Sequence, residues 1–443
     1  MNCKNCGKHI DKNDKFCTYC GHGIEQNTTI NENTTKNDKI CPNCKAKVGI
    51  EDRFCIKCGH NLKKEDGEIK RESQKSEEKE TFNESAETIE QQTAQNINFK
   101  NEARNLFSST TKSIGKFAGS EESLDLNLKD MFSEVFKPHS KEESDEVFIA
   151  GTKNTTPPLD EVSEEWAKPW VFSRVFLAFA ITFAALWVLG TVFENANAIP
   201  GLIFIGALTV PLTGLFFFYE SNAFKDISLF EVLKMFFIGG VFSLISTMIL
   251  YNFITFSEEY YLSGTMTVID AALVGLVEET GKAVIIVYFI NKNRTNRILN
   301  GLLIGGAIGA GFAVFESAGY ILNYSTNFDI SLIDMIYTRA WTAIGGHLVW
   351  SAIIGAGIVI AKEENNFGFN NILDKRLLFF FFSSVILHGI WDTSISLAGS
   401  ITLKYLVLIF IVWIFVFILM KAGLKQVNIL QAEVRGIKES VDK

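Results

Sequence analysis

Hydrophobic and polar positions are sharply segregated along this chain of 443 residues. Up to Trp166 the sequence is polar and charged, whereas beyond it long apolar runs follow one another with short polar interruptions. Each run is long enough, at about 1.5 Å per helical residue, to cross roughly 30 Å of hydrocarbon. The pattern predicts an all-α membrane domain of about eight transmembrane helices, over residues 170–193, 198–219, 232–256, 268–290, 298–323, 337–361, 377–399 and 402–422.

The same contrast divides the chain into five regions. Two cysteine-rich units cover 1–24 and 39–62, a polar segment covers 63–168, the membrane domain covers 169–424, and an amphipathic cytoplasmic tail covers 425–443. The polar segment has too little apolar surface to bury a core, so we predict a mostly disordered linker. Its apolar positions from Phe99 to Phe117 recur at helical spacing, which suits either an anionic membrane surface or a transient helix with no fixed partner.

All eight cysteines lie in the two N-terminal units as four CxxC pairs: Cys3 and Cys6, Cys17 and Cys20, Cys41 and Cys44, Cys55 and Cys58. Four thiolates in two such pairs make a tetrahedral zinc site, and units this small cannot fold on an apolar core alone. We therefore predict two structural zinc ions. Disulfides are the alternative, but no apolar signal segment follows Met1. The units resemble the double zinc ribbons of microbial membrane proteins, which implies a structural or partner-binding role.

Lysine and arginine collect in alternate loops of the membrane domain, for example at Lys225 and Lys234 and at Lys292 to Arg297. The other loops are acidic or uncharged, with Lys404 as an exception. The positive-inside rule then predicts a multi-pass protein of the cell membrane with both termini in the cytoplasm. The net charge of −8 gives no basic surface, so we expect no nucleic-acid partner.

Seven ionisable side chains interrupt the apolar runs: Glu278, Glu279, Lys282, Glu316, His347, His388 and Asp392. Counted from the outer ends of their spans, the groups on four helices lie roughly 10–17 Å deep. Left unpaired, the seven would cost on the order of 15 kcal/mol. We therefore expect them to face one another in a shared, hydrated cavity. Asp270 and Arg339 lie near span ends, where charged side chains can reach water.

Local spacing supports a common site. Lys282 follows Glu279 by three residues and Glu278 by four, so one lysine can neutralise one acid and leave the other available. His388 and Asp392 are also four residues apart, which lets a carboxylate orient an imidazole. A strip of glycines predicts close helix packing in the fifth span, at Gly301, Gly305 and Gly309.

Four short motifs follow one another on successive spans: Glu278-Glu279-x2-Lys282, Phe312-x3-Glu316, His347-x3-Ser351 and His388-x3-Asp392. They resemble the EExxK, FxxxE, HxxxB and HxxxD motifs of the PrsW-type intramembrane proteases, relatives of the type II CAAX prenyl endopeptidases. The resemblance covers roughly residues 230–400. It implies hydrolysis of a peptide bond in or near the membrane, with membrane-bound regulators such as anti-sigma factors as substrates.

The chemistry requires an activated water in a site of low dielectric constant. Our hypothesis assigns roles to all seven residues: Glu278 as general base, Glu279 paired with Lys282, Glu316 and His347 polarising the water, and His388 oriented by Asp392 to stabilise the oxyanion. Glu279 fits the role of base about equally well. A second version has a catalytic zinc, with Glu316, His347 and His388 as its ligands.

Two other functional classes fit the same residues. Buried carboxylates and histidines also form relays in proton- or ion-coupled transporters and channels. A protease fold without activity would instead serve as a membrane scaffold that presents the zinc ribbons to a partner. Substituting Glu278 or His388 and following the cleavage of co-expressed membrane proteins distinguishes these classes, because the function of a scaffold does not depend on either residue.

Overall fold

The computed structural model describes residues 39–41, 45, 47–48, 101–263, 265–327 and 331–441. The chain divides into two compact units, Met1–Gln92 and Thr93–Lys443. In the first unit, strands β1 (Lys39–Ile40) and β2 (Lys47–Val48) pair antiparallel, with Lys39 opposite Val48. Cys41 follows β1 and is buried, and its carbonyl oxygen accepts a hydrogen bond of 2.9 Å from the Lys45 amide. The other predicted zinc-binding cysteines lie outside the described residues.

The described part of the second unit is built of helices. Three precede the membrane domain: α1 (residues 101–117), α2 (Leu128–Met131) and α3 (Lys141–Phe148). The others are α4 (Val171–Thr191), α5 (Ala198–Glu220), α6 (Leu229–Lys234), α7 (Gly240–Tyr251), α8 (Glu258–Ser263), α9 (Val268–Asn293), α10 (Ile298–Asn327), α11 (Leu332–Thr342), α12 (His347–Lys362), α13 (Lys375–Asp392) and α14 (Ile401–Val441). A π-helical turn, Met235–Gly239, joins α6 to α7.

The predicted membrane spans correspond to helices in the structure. Six described segments are long and apolar enough to cross a membrane: Val171–Thr191, Ala198–Ser221, Leu229–Tyr251, Ile298–Ser325, Leu332–Lys362 and Ile401–Gly436. The two remaining predicted spans coincide with α9 and α13, which are less apolar because they carry the charged residues of the candidate site. The predicted fold class of the membrane domain, an all-α polytopic bundle, is therefore confirmed.

Three helix ends differ from the prediction. The span predicted at 337–361 is broken by a 3₁₀ turn at Ala343–Gly345, because two consecutive glycines separate α11 from α12. Helix α13 ends at Asp392 instead of near 399, before a tight turn in which Leu397 pairs with Ser400. Helix α14 continues to Val441, so the predicted tail is an extension of the last membrane helix. His347 thus begins its helix, and His388 lies one turn before the end of α13.

Helix α10 is the centre of the membrane domain and is almost wholly buried. Its predicted glycine strip faces α12. A Cβ atom at Gly305 would overlap the carbonyl oxygen of Ser351, and one at Gly309 would overlap the carbonyl oxygen of His347. Only glycine allows this approach, and it holds the start of α12 beside the part of α10 that carries Phe312 and Glu316.

The segment from residue 101 to 168, whose composition predicts a mostly disordered linker, packs on the membrane domain. The ring of Phe117 stacks on Phe379 of α13 at 4.0 Å between centroids. Gln431 of α14 donates hydrogen bonds to the carbonyl oxygens of Leu159 and Val162, at 2.7 and 2.8 Å. The few apolar side chains of this segment therefore complete the core of a larger domain, which average composition does not indicate.

Lys404, the exception to the charge pattern of the loops, caps a helix. Its ammonium group is buried and donates to the carbonyl oxygens of Ile390, Trp391 and Thr393, at 3.3, 2.9 and 2.6 Å. The last carbonyl groups of a helix have no partner within the helix, and hydrocarbon supplies none. Lys404 therefore fixes the end of α13, next to His388 and Asp392.

Candidate functional site

Helices α9, α10, α12 and α13 bring all seven predicted ionisable residues into one buried cluster. Helix α9 supplies Glu278, Glu279 and Lys282, α10 supplies Glu316, α12 supplies His347, and α13 supplies His388 and Asp392. Neighbouring groups in this cluster lie within 2.6 to 3.9 Å of one another. These residues therefore share one environment, as the cost of burying them separately predicts.

Glu279 joins α9 to α13 at the base of the cluster. Its Oε1 accepts hydrogen bonds from Lys282 Nζ at 2.6 Å and from His388 Nδ1 at 2.8 Å. Glu279 and Lys282 are both fully buried. Because the imidazole donates through Nδ1 to a carboxylate, its Nε2 is directed to the other side, 3.3 Å from Asp392 Oδ2 and 3.8 Å from Glu278 Oε2. Glu279 thus orients His388.

His347 is held in the same way from α10. Its Nε2 lies 3.0 Å from Glu316 Oε2, so this nitrogen carries the proton that the carboxylate accepts. The other nitrogen, Nδ1, is an acceptor in that tautomer and takes a hydrogen bond of 2.8 Å from Lys282 Nζ. The same Nδ1 lies 3.9 Å from Glu278 Oε2. Each imidazole therefore has one nitrogen fixed by a glutamate and the other directed to Glu278.

The two carboxylate oxygens of Glu278 have different surroundings: one accepts a hydrogen bond, and the other faces the side chains of the site. Its Oε1 accepts a hydrogen bond of 3.0 Å from the Tyr251 hydroxyl. Its Oε2 is buried and has no hydrogen-bond partner in the described part of the chain. A buried carboxylate oxygen without a partner is costly, so this atom is the point at which a water molecule or a cation would be bound.

Glu278 lines a cavity of about 80 Å³, which gives room for a few water molecules. Five of the seven predicted residues line it, namely Glu278, Glu316, His347, His388 and Asp392. Glu279 and Lys282 lie behind this wall. The cavity therefore separates residues that can meet a substrate from residues that position them.

Three residues of the site were missed by sequence reasoning. Arg339 forms an ion pair of 2.6 Å with Glu316, although its place near a span end suggested contact with water. Tyr251 contacts Glu278 from α7, and the ring of Trp350 stacks on His388 at 4.3 Å. Each belongs to an apolar or aromatic stretch that looks like ordinary membrane helix. Only Arg339 gave a usable signal in the sequence, because its positive charge is opposite to that of the acids in the neighbouring spans.

The donor set of the cluster fits a metal ion. Glu278, His347 and His388 each offer a ligand atom, and the three atoms lie within 4.8 Å of one another. One carboxylate and two imidazoles are ligands that zinc takes at catalytic sites. With both imidazoles neutral, four carboxylates against Lys282 and Arg339 also leave an excess of two negative formal charges, which a divalent cation would balance. For a metal to bind His347 Nδ1, the hydrogen bond from Lys282 to this nitrogen would have to break.

Glu316, predicted as a zinc ligand, has a different position. Its Oε2 is engaged by Arg339 Nη2 and His347 Nε2, at 2.6 and 3.0 Å. Glu278 is the carboxylate that approaches the remaining nitrogens of both histidines, at 3.9 Å from His347 Nδ1 and 3.8 Å from His388 Nε2, while Asp392 lies closer to His388 Nε2 alone. Glu316 is thus placed to orient a ligand, in the same way that Glu279 orients His388.

Helices that bury carboxylates and imidazoles around a small cavity in the membrane are an arrangement that intramembrane hydrolases require. Comparison with known proteins narrows this class. Residues 229–420 match the family model described as "PrsW family intramembrane metalloprotease", and residues 3–59 match the one described as "Double zinc ribbon". The predicted resemblance of the membrane domain to the PrsW family is confirmed, and so is the enzyme class predicted from it, an intramembrane protease.

One curated relative has a similar sequence over the membrane domain. The chain is 25% identical over 194 residues to Protease PrsW of Clostridioides difficile (strain 630), and the aligned region covers 43% of this chain and 77% of the relative. No solved structure matches the chain. Residues 101–228, which include the segment packed beneath the membrane helices, lie outside both family matches.

Proposed function

We propose that this protease hydrolyses a peptide bond in the membrane-spanning or membrane-adjacent part of another membrane protein, and that Glu278 is the residue on which the reaction depends. The observation that carries the proposal is that Glu278 lines the cavity and that its Oε2, which makes no hydrogen bond to the described residues, lies within 4 Å of nitrogens from Lys282, His347 and His388. This favours Glu278 over Glu279, because Glu279 is fully buried, does not line the cavity and uses its Oε1 to bind Lys282 and His388.

In the proposed reaction, a water molecule in the cavity attacks the carbonyl carbon of the substrate peptide. The carboxylate of Glu278 accepts one proton of this water as the new C–O bond forms, and the carbonyl electron pair moves to the carbonyl oxygen. Return of that pair breaks the C–N bond, and the proton passes to the leaving amine nitrogen. Proton transfer of this kind contributes about 10²–10⁴ to the rate.

A zinc ion would be held by Glu278, His347 and His388, whose ligand atoms lie within 4.8 Å of one another, with Lys282 displaced from His347 Nδ1. Bound there, zinc would polarise the substrate carbonyl and make the attacking water more acidic. With Glu278 engaged in this way, Asp392 is the carboxylate that remains to hold a proton, since it also lines the cavity and lies 3.3 Å from His388 Nε2. Glu279 and Glu316 orient the two imidazoles in either version.

The charge pattern supports an orientation for this site. Lysine and arginine in the loops near Lys225, Lys292 and Lys375 place those loops in the cytoplasm, with both termini on the same side. The cavity then opens toward the external half of the bilayer, because Met266 from an opposite loop lines it. Membrane-bound regulators resembling anti-sigma factors fit a protease of this orientation. The zinc ribbons would bind a cytoplasmic partner.

Glu278→Gln tests the proposal. In cells that produce this variant in place of the native protein, we expect the new N-termini made by the protease to disappear from the membrane proteome, because the amide neither accepts a proton nor binds a metal as a carboxylate does. Mass spectrometry of protein N-termini measures this loss and identifies the substrate.

Asp270→Asn is the matched control. It changes an acid to its amide on the same helix, at a buried capping residue that is bonded to Ser257 and Thr267 and is not among the residues that line the cavity. We expect its cells to keep the N-termini. Identical sets of N-termini in wild-type and Glu278→Gln cells would contradict the proposal and favour a transporter or an inactive scaffold.

A further inference from the structure

We propose that Arg339 is a further catalytic residue, whose guanidinium group binds the carbonyl oxygen of the scissile peptide bond and stabilises the negative charge that develops there. This inference rests on the proposed function. Arg339 belongs to none of the four motifs and lies on α11, just before the chain breaks into the 3₁₀ turn that leads to His347.

Arg339 shares the cavity with the reacting groups. The same wall carries Glu278, His347 and His388, and the cavity has a volume of about 80 Å³. A peptide carbonyl group that binds in this small cavity beside Glu278 is within the space that the guanidinium also lines. The side chain of Arg339 is 27% exposed, so it is neither sealed in the core nor free in solvent.

Contacts with α10 fix the plane of the guanidinium group. Nη2 donates to Glu316 Oε2 at 2.6 Å, and Nε donates to Ser317 Oγ at 3.1 Å. The guanidinium carbon lies 4.7 Å from the ring centroid of Tyr320, a cation–π contact. Nη1 makes no hydrogen bond to the described residues, so its two N–H groups remain for a ligand. Such a fixed donor stabilises charge without rearranging during the reaction.

The other candidates for this task are already engaged. His388, predicted to stabilise the oxyanion, faces carboxylate oxygens through both nitrogens. Lys282 does not line the cavity and donates to Glu279 and His347. Arg339 is therefore the positively charged donor on the wall of this cavity. Helix α12 adds to it, because its positive end begins at Gly346 on the same wall without a side-chain cap.

The test uses the full-length protein in liposomes, with a fluorogenic peptide that spans the bond identified by the Glu278→Gln comparison. Arg339→Gln is expected to lower kcat by about 10²–10³, the usual effect of removing one oxyanion donor, with KM changed by less than about threefold. Arg339→Lys keeps the charge but loses the planar fork, and we expect an intermediate kcat.

Arg297→Gln is the matched control. Arg297 also pairs with one carboxylate, Asp226, at 2.8 Å and lies 4.2 Å from an aromatic ring, that of Phe224. It precedes α10 at the opposite end from Glu316, roughly 28 Å away along the helix. We expect its kcat to match that of the wild type, and melting temperatures of all variants check that each is folded.

The Glu316→Gln variant distinguishes a catalytic role of Arg339 from a purely structural one. If Arg339 only neutralised Glu316, the double variant Glu316→Gln/Arg339→Gln would be as active as Glu316→Gln alone. We expect a further fall in kcat of at least about tenfold, and this comparison also serves if Arg339→Gln alone misfolds. Equal activity, or a loss confined to KM, would overturn the inference. Absence of any Glu278-dependent cleavage would overturn the proposed function as well.

Discussion

Glu279→Ala is expected to destabilise the membrane domain by about 3–5 kcal/mol, because it leaves a buried charge without its partner. Lys282 is fully buried, and its ammonium group lies 2.6 Å from Glu279 Oε1. The same substitution removes the acceptor of His388 Nδ1. Equilibrium unfolding in mixed detergent micelles, followed by circular dichroism, measures the change in the free energy of unfolding.

Glu231→Ala is the control for this measurement. Glu231 and Lys234 form an ion pair with the same spacing of three residues, but both side chains are partly exposed to the surroundings. Exposed pairs contribute at most about 1 kcal/mol, so the control is expected to lose little. Equal losses in the two variants would mean that Glu279 and Lys282 are solvated, and the buried site described above would be wrong.

His388→Ala is expected to remove both a bound zinc ion and proteolytic activity. In a full-length variant whose eight ribbon cysteines are replaced by serine, we expect one zinc per chain to remain at Glu278, His347 and His388. Adding His388→Ala leaves two protein ligands, which is too few for a catalytic zinc site. Metal analysis of the purified protein gives the zinc content, and cleavage is expected to fall at least about 10³-fold.

His139→Ala is the matched control for the loss of a histidine. His139 stacks on Trp170 at 3.7 Å, before the first membrane helix and away from the cavity, so zinc and activity are expected to remain. A serine-substituted protein that holds no zinc and still cleaves after full chelation would contradict the metal site. It would favour the version in which the carboxylate of Glu278 activates water alone.

The convergence of the site was predictable because its physics is simple. An acid or imidazole in hydrocarbon is costly, so a few such groups on neighbouring spans must meet. The close contact of α10 with α12 was also predictable from Gly305 and Gly309, since small residues allow helices to approach. Both arguments need only residue type and spacing, which the chain displays directly.

The detailed pairing was not predictable, because it depends on how each helix is rotated and where it ends. The zinc hypothesis from the sequence joined Glu316 to both histidines. In the structure Glu316 contacts Arg339 and His347, and Glu278 is the carboxylate that approaches both histidines. The break at Gly346 moves His347 to the start of a helix, a change that hydropathy over a long window does not detect. Packing of residues 101–168 depends on partners hundreds of residues away, such as Gln431.

The central claim is that Glu278 and His388, from helices distant in sequence, serve one reaction in one pocket. Cleavage rates of the single and double variants in liposomes test it most directly. When residues act as a unit, the effects of their substitutions on the rate are strongly non-additive. The double variant Glu278→Gln/His388→Ala is therefore predicted to cleave the substrate no more slowly than the less active single variant. Losses that multiply in a folded double variant, or wild-type cleavage in either single variant, would contradict the account.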